Sequence, residues 1–256
     1  MYSFYSFLLT LGFCLMLPRF LFDFLRRGKY AAGFSQRLGY HKNFRKDGLP
    51  VLWVHCVSVG EANAALPIIN EIIARYPNFR LVVSTTTATG QELAQKLYGN
   101  IADKIIYFPF DWKMSVRRVL RNFQPNIVLL METELWFNFI REANKSGASV
   151  FLANGRLSEK SFSRYIYIRK FMSRVLYHIT LALMQDKADA IRLKRLGIRA
   201  NKVKITGNVK FDQNPAKIDA DLTAELKSRF GFSENAPLII AASTHEPEVA
   251  ADFGAF

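Results

Sequence analysis

The chain has 256 residues, half of them hydrophobic, and carries 35 Lys and Arg against 21 Asp and Glu, a formal net charge of +14. So much apolar content excludes a disordered chain and allows one sizeable core, or one domain and part of another, while the charge calls for an anionic partner: nucleic acid, an acidic membrane surface or a phosphorylated substrate. Two cysteines, Cys14 and Cys56, support neither a disulfide framework nor a Cys-rich zinc site and fit a reducing, cytoplasmic setting.

From Met1 to Leu17 the chain is uncharged and dominated by Phe, Leu, Tyr and Met, and Arg26, Arg27, Lys29, Arg37, Lys42, Arg45 and Lys46 follow. With no basic n-region and no small-residue cleavage site, the run reads as a retained anchor over residues 1–25, spanning a membrane or lying in its interface. A buried N-terminal helix is the alternative. The positive-inside tendency then puts the body on the cytoplasmic side of the inner membrane, against anionic lipids.

From residue 51 short apolar runs alternate with amphipathic stretches. Strands are expected at 51–57, 81–85, 105–108, 127–131, 150–153, 179–184 and 203–206, each short, apolar and often β-branched. Between the first two, residues 61–75 set Ala65, Ile68, Ile69, Ile72 and Ile73 on one helical face, and Thr89-Gly90-Gln91-Glu92 has the pattern of a capping box. The repeat has the size of a βαβ unit, so residues 26–212 are expected to form an α/β, doubly wound parallel sheet. Gln213-Asn214-Pro215 interrupts the alternation; a helix at 219–230 and a strand at 237–242 then begin what reads as an incomplete second domain over 213–256.

In open parallel sheets ligands sit beyond the carboxyl ends of the strands. After the first strand, Ser58 and Glu61 have capping-box spacing around Gly60, and Glu61 serves either as a cap at a helix N-terminus or as a general base at a cleft mouth. Glu132 and Glu134 follow four apolar residues at the end of the fourth strand, where carboxylates need compensation and often line a site. Gly207 suits a tight turn before Lys210, which reads as a phosphate contact or a solvated loop lysine. Asn154 and Arg156 follow the fifth strand, at an anion site or a turn and N-cap. Basic and aromatic residues interleave over 164–174, with Tyr165, Tyr167 and Phe171, as in a helix lying on anionic lipid. No Gly-x-Gly-x-x-Gly or Walker loop is present, His41, His55, His178 and His245 lack metal-ligand spacing, and no metal or cofactor is assigned. A nucleic-acid partner draws only on net charge and is set aside.

Six strings in order carry a resemblance: His55-Cys56-Val57-Ser58-Val59-Gly60-Glu61, Thr85-Thr86-Thr87-Ala88-Thr89-Gly90, Met131-Glu132-Thr133-Glu134-Leu135-Trp136, Ala153-Asn154-Gly155-Arg156-Leu157-Ser158, Thr206-Gly207-Asn208-Val209-Lys210-Phe211-Asp212 and Ser243-Thr244-His245-Glu246. Together they resemble the Kdo transferases of lipopolysaccharide assembly. The resemblance implies a metal-independent, inverting glycosyltransferase of GT-B type, whose N-terminal domain holds a lipid A precursor and whose C-terminal domain holds CMP-Kdo. It implies Glu61 as proton acceptor, Glu132 and Lys210 as transition-state stabilisers, and substrate contacts from Ser58, Gly60, Thr87, Thr89, Glu134, Asn154, Arg156, Asn208, Ser243, Thr244 and His245. Gln36, Phe137 and Pro247 depart from the family pattern, where Glu, Pro and Gly are usual, and the family's Pro-Arg-His-Pro-Glu-Arg nucleotide motif is absent from the sequence. A membrane-bound acceptor-binding remnant without a CMP-Kdo site is the alternative reading.

Overall fold

The computed structural model describes residues 1–27, 33–44, 47–212 and 220–231. Seven strands, β1 (Val51–His55), β2 (Arg80–Thr85), β3 (Lys104–Tyr107), β4 (Ile127–Met131), β5 (Ser149–Gly155), β6 (Leu181–Met184) and β7 (Val203–Ile205), form one sheet in the order β3-β2-β1-β4-β5-β6-β7. Every neighbouring pair is parallel. In chain order the helices are α1 (Tyr2–Arg27), α2 (Phe34–Arg37), α3 (Val59–Arg75), α4 (Ala88–Tyr98), α5 (Lys113–Phe123), α6 (Phe137–Lys145), α7 (Glu159–Tyr165), α8 (Arg169–Tyr177), α9 (Lys187–Arg195) and α10 (Ala220–Phe230).

This is the doubly wound α/β architecture expected from the sequence, and its strand order reverses between β1 and β4. All five residues of β1 are buried, because both faces of the sheet are covered. Alternate side chains go to opposite faces: Trp53 joins a core with Phe108, Phe123, Leu130, Phe139 and Leu152, whereas Leu52 and Val54 join one with Ala65, Ile69, Val83 and Tyr98. Ala65 and Ile69 of the expected α3 face are fully buried, and Ile68, Ile72 and Ile73 pack at its edge. Ser58 caps α3, but α4 is capped by Thr87, whose Oγ1 accepts from Gly90 N at 3.0 Å; the capping box anticipated at Thr89 lies inside the first turn. A cap needs extended backbone, which Thr87 has (φ −109°, ψ 155°).

The N-terminal run is helical, but no described helix is long and apolar enough to cross a membrane. A spanning anchor is therefore not supported. The uncharged stretch ends at Pro18-Arg19, and one face of α1 is used against the body. The Tyr5 hydroxyl donates to Asp111 Oδ2 at 2.9 Å, Asn138 Nδ2 donates to Ser6 Oγ at 3.0 Å, and Phe13 meets Trp112 edge-on at 5.0 Å. Phe137, where the family usually has proline, is buried at the start of α6 and packs on Tyr5 and Phe171. Phe4, Phe7, Leu11 and Leu15 face outward.

The stretch at 164–174 is not one lipid-facing helix. A 3-10 turn, Ile166–Ile168, breaks it between α7 and α8, so Phe171 is buried while Tyr167 is exposed. Contacts divide the chain into two units, 1–213 and 214–256, and α10 is the described element of the second. The strand expected at 237–242, and Ser243, Thr244, His245 and Pro247, lie outside the described residues.

Candidate active site

The β1–β4 switch point leaves a crevice at the carboxyl ends of the strands, and the first turn of α3 opens into it. Glu61 is 5% exposed there. Its Oε2 accepts from Val57 N at 2.9 Å and its Oε1 from the Ser58 hydroxyl at 3.0 Å, while Ser58 Oγ accepts from Glu61 N at 3.3 Å. Cap and carboxylate thus brace each other, and each Glu61 oxygen keeps a lone pair for a further donor. Burial raises the Glu61 pKa above the ordinary carboxyl value; the Val57 and Ser58 donors oppose this, and the Glu132 carboxylate adds to it.

Glu132 follows β4 in the left-handed region, at φ +51°. Its N–H donates to Ala153 O at 2.9 Å, which turns the chain out of the sheet and aims the side chain across the crevice. There Glu132 Oε1 meets Lys210 Nζ at 3.3 Å. The ammonium also lies over Gly60, where an added Cβ would stand 4.0 Å from it. Three segments far apart in sequence thus meet at one point.

Lys210 sits on a 3-10 turn, Val209–Asp212, that Asn154 holds in place. Asn154 is 1% exposed with φ +54°, and its Oδ1 accepts from Val209 N at 3.1 Å; Asn208 Oδ1 accepts from Lys210 N at 3.1 Å. Gly155 lets β5 approach β6 closely, since a Cβ there would lie 2.6 Å from Met184 Sδ. Asn154 and Asn208 therefore act on the backbone that positions Lys210.

A cavity of about 260 Å³ is lined by Glu132 itself with Thr133, Glu134, Arg156, Ser158, Ser161 and Tyr165 among others. Burial, then the Glu61 and Glu132 carboxylates, push Glu134 up to about 7. The Thr133 hydroxyl donates to Arg156 O and accepts from Arg156 N at 3.0 Å, fixing that residue by its backbone. On the other side an apolar cleft of about 420 Å³ runs between α1 and the strand ends, lined by Leu8, Phe13, Phe108, Phe110, Trp112 and Trp136 among others. Gln36 Oε1 accepts from Tyr107 N at 3.0 Å near the end of β3, as a glutamate would, so this departure keeps its hydrogen bond.

The crevice thus gathers Ser58, Gly60, Glu61, Glu132, Glu134, Arg156, Asn208 and Lys210, with Asn154 beneath. Thr87 and Thr89 stand exposed at the end of β2, their hydroxyls 3.4 Å apart. The buried His55 is not fully satisfied: Nδ1 bonds Ser84 and the ring stacks on Phe108 at 3.7 Å, but Nε2 has no hydrogen-bond partner among the described residues, and burial lowers its pKa to about 3. Among the described residues no cluster of three or more His, Cys, Asp or Glu could hold a metal ion. Asp111 and Ser161 carry no expectation from the sequence, and Tyr165 only that of a lipid-facing stretch; the strand-end rule applied to Phe108-Pro109-Phe110-Asp111 would have found the first.

Residues 32–213 match the family described as 3-deoxy-D-manno-octulosonic-acid transferase (kdotransferase). This chain belongs to the Kdo transferase family. A 3-deoxy-D-manno-octulosonic acid transferase from Chlamydia trachomatis is 29% identical over 96% of this chain and 57% of its own length. One from Haemophilus influenzae is 32% identical, over 86% of this chain and 51% of its own. The chain thus spans about half the length of these Kdo transferases. A crystal structure of UDP-GlcNAc 2-epimerase from Neisseria meningitidis bound to UDP-GlcNAc has the same fold, with TM-score 0.51 and 17% identity over 73% of this chain and 55% of that one.

Proposed function

We propose that this chain is the acceptor-binding half of a glycosyltransferase that transfers Kdo from CMP-Kdo to the lipid A precursor lipid IVA in lipopolysaccharide biosynthesis. One observation carries the reading: a buried carboxylate of raised pKa, Glu61, stands beside an ion pair, Glu132–Lys210, at the topological switch point. In a single inverting displacement the acceptor hydroxyl oxygen attacks the anomeric carbon of Kdo and passes its proton to Glu61. The bond from that carbon to the CMP phosphate oxygen breaks, and CMP leaves with the bonding electrons. Lys210, oriented by Glu132, offsets negative charge as it develops. No covalent intermediate is required.

The apolar cleft beside Trp136 suits acyl chains of the acceptor. The outward apolar face of α1, with Arg141 over the Tyr2 ring and Arg174 beside Met1, suits an interfacial position on inner-membrane anionic lipid, the body facing the cytoplasm. Residues 1–25 would then be the membrane-docking helix, 26–212 the acceptor domain, and 213–256 the linker and start of the nucleotide-sugar domain.

The test is transfer of Kdo from CMP-Kdo to lipid IVA in detergent by this chain, with acceptor binding measured in parallel. Transfer supports the full reading. Acceptor binding without transfer limits it to acceptor capture, and loss of both refutes it.

A further inference from the structure

Away from the carboxyl edge, a groove of about 1070 Å³ runs between α5 and α6 to the amino edge of the sheet, where Asn126 and Gly147 lead into β4 and β5. Leu120 and Pro125 are buried in its floor, and Lys113, Arg117, Arg121 and Lys145 stand exposed along it. Helix α5 holds four bases and no acid, and Lys113, Arg117 and Arg121 follow one another at four-residue spacing on one face. Like charges so spaced destabilise a helix. Arg121 and Lys145 at least suit the negative ends of their helix dipoles, but Lys113 meets the positive end of the α5 dipole. The buried Glu142 offsets only part of this charge: its Oε2 accepts from Arg117 Nε at 2.5 Å, and its Oε1 lies 3.6 Å from an Arg141 guanidinium nitrogen. Arg118 is committed to the body, donating to Leu38 O at 2.7 Å and lying over the Tyr40 ring. Lys113, Arg121 and Lys145 have no ion-pair partner among the described residues. A row of cations that works against its own helix calls for an anion from outside the chain.

We infer that the α5–α6 groove is a docking surface for an acidic amphipathic helix of a protein partner. Successive cations of the row rise by about 6 Å along α5, which is the rise between carboxylates four residues apart on a partner helix. Met114, 67% exposed beside the row, supplies the adaptable apolar contact that such a helix buries. A bilayer fits less well. Helix α1 meets the body at Asp111, Trp112 and Asn138, by the starts of α5 and α6, and the groove extends from there about 16 Å along α5 to the opposite edge of the sheet. No aromatic side chain lines it on which a nucleic-acid base would stack. The surface is separate from Glu61, Glu132 and Lys210 and does not depend on the acceptor reading.

The experiment measures, by fluorescence anisotropy, binding of this chain in detergent to a labelled synthetic peptide. The probe is about 15 residues long, enough to hold a helix in water, with Glu at every fourth position beside a stripe of Leu. A peptide with Gln for every Glu and a scrambled acidic peptide of the same composition serve as controls. Wild type is compared with Lys113→Glu and Arg121→Gln, singly and together; Arg117 is left alone because its loss would strand the buried Glu142. Lys113→Glu relieves the like-charge row and suits the helix dipole, so its urea midpoint should equal or exceed that of wild type while its affinity falls. The double variant should bind the acidic helix about 10-fold more weakly, and wild-type binding should weaken as salt rises. The proposal is overturned if wild type binds the acidic helix no better than the Gln or scrambled peptide, or if the variants match wild type. It is overturned in favour of a lipid contact if the variants keep their affinity for the peptide but lose sedimentation with anionic vesicles.

Discussion

Glu132 holds a left-handed backbone conformation that glycine would adopt at no steric cost, which makes a measurable prediction about why a glutamate is there. Its φ of +51° costs an L residue about 1–2 kcal/mol, and the same strain persists in Glu132→Ala. Glu132→Gly removes the strain but gains about 0.5–1 kcal/mol of conformational freedom in the unfolded chain. Both variants keep the N–H donation to Ala153 O and both lose the Lys210 pair, whose side chains are 43% and 26% exposed. A pair so exposed contributes about 0.2–1 kcal/mol. The net expectation is that Glu132→Gly is about 0.5–1 kcal/mol more stable than Glu132→Ala, the reverse of the order at most non-glycine positions. Urea unfolding should show this as a midpoint difference of several tenths molar, for an m-value of roughly 1–3 kcal/mol per molar. Glu132→Asn, which tolerates the left-handed region, should fall near Glu132→Gly. If Glu132→Ala is as stable as Glu132→Gly or more so, the backbone is not strained and the reasoning fails. If the order holds, the carboxylate is kept at a cost to stability, as expected of a residue retained for the site.

Asp111 is buried, accepts from Asn138 N and Phe139 N at the start of α6 and from the Tyr5 hydroxyl, and burial raises it to about 7. The folded state then holds a proton that the unfolded state has released, so this contribution to stability is complete below about pH 4 and is lost as pH rises through about 7. The urea midpoint of wild type should fall relative to that of Asp111→Asn between pH 5 and 8; parallel profiles would refute it. Asp111→Ala strands three donors and should cost about 2–4 kcal/mol in the same assay, whereas a loss under about 0.5 kcal/mol would mean that water replaces the carboxylate. In an enzyme completed by its second domain, Glu61→Gln should lower transfer by at least about 100-fold with acceptor affinity nearly unchanged, and near-normal turnover would remove Glu61 from the mechanism. Phe7→Glu on the outward face of α1 should reduce sedimentation with anionic vesicles without shifting the urea midpoint; undiminished sedimentation would place the membrane contact elsewhere.

The sheet was legible because strands buried on both faces must be short, continuous apolar runs, and the expected run at 127–131 coincides with β4. The acids and lysine at strand ends were legible too, since parallel topology leaves only the carboxyl edge for a ligand. The fate of the N-terminal run was not legible. Tyr5 and Ser6 find their partners 106 and 132 residues away, and a run that is apolar all round carries no periodic sign of which face a protein body will cover. Tyr165 read as part of a basic, aromatic, lipid-facing stretch; the 3-10 break after α7 leaves it lining a cavity with Glu134. Asn154 read as a ligand contact, and only packing shows its side chain turned inward to hold Val209. Local order in the chain thus determined the strands, most of the helices and which residues stand at the sheet's edge. The meeting of Lys210 with Glu132, 78 residues apart, was decided by tertiary structure, because side-chain partners across a crevice depend on loop conformation and close approach that no local periodicity encodes.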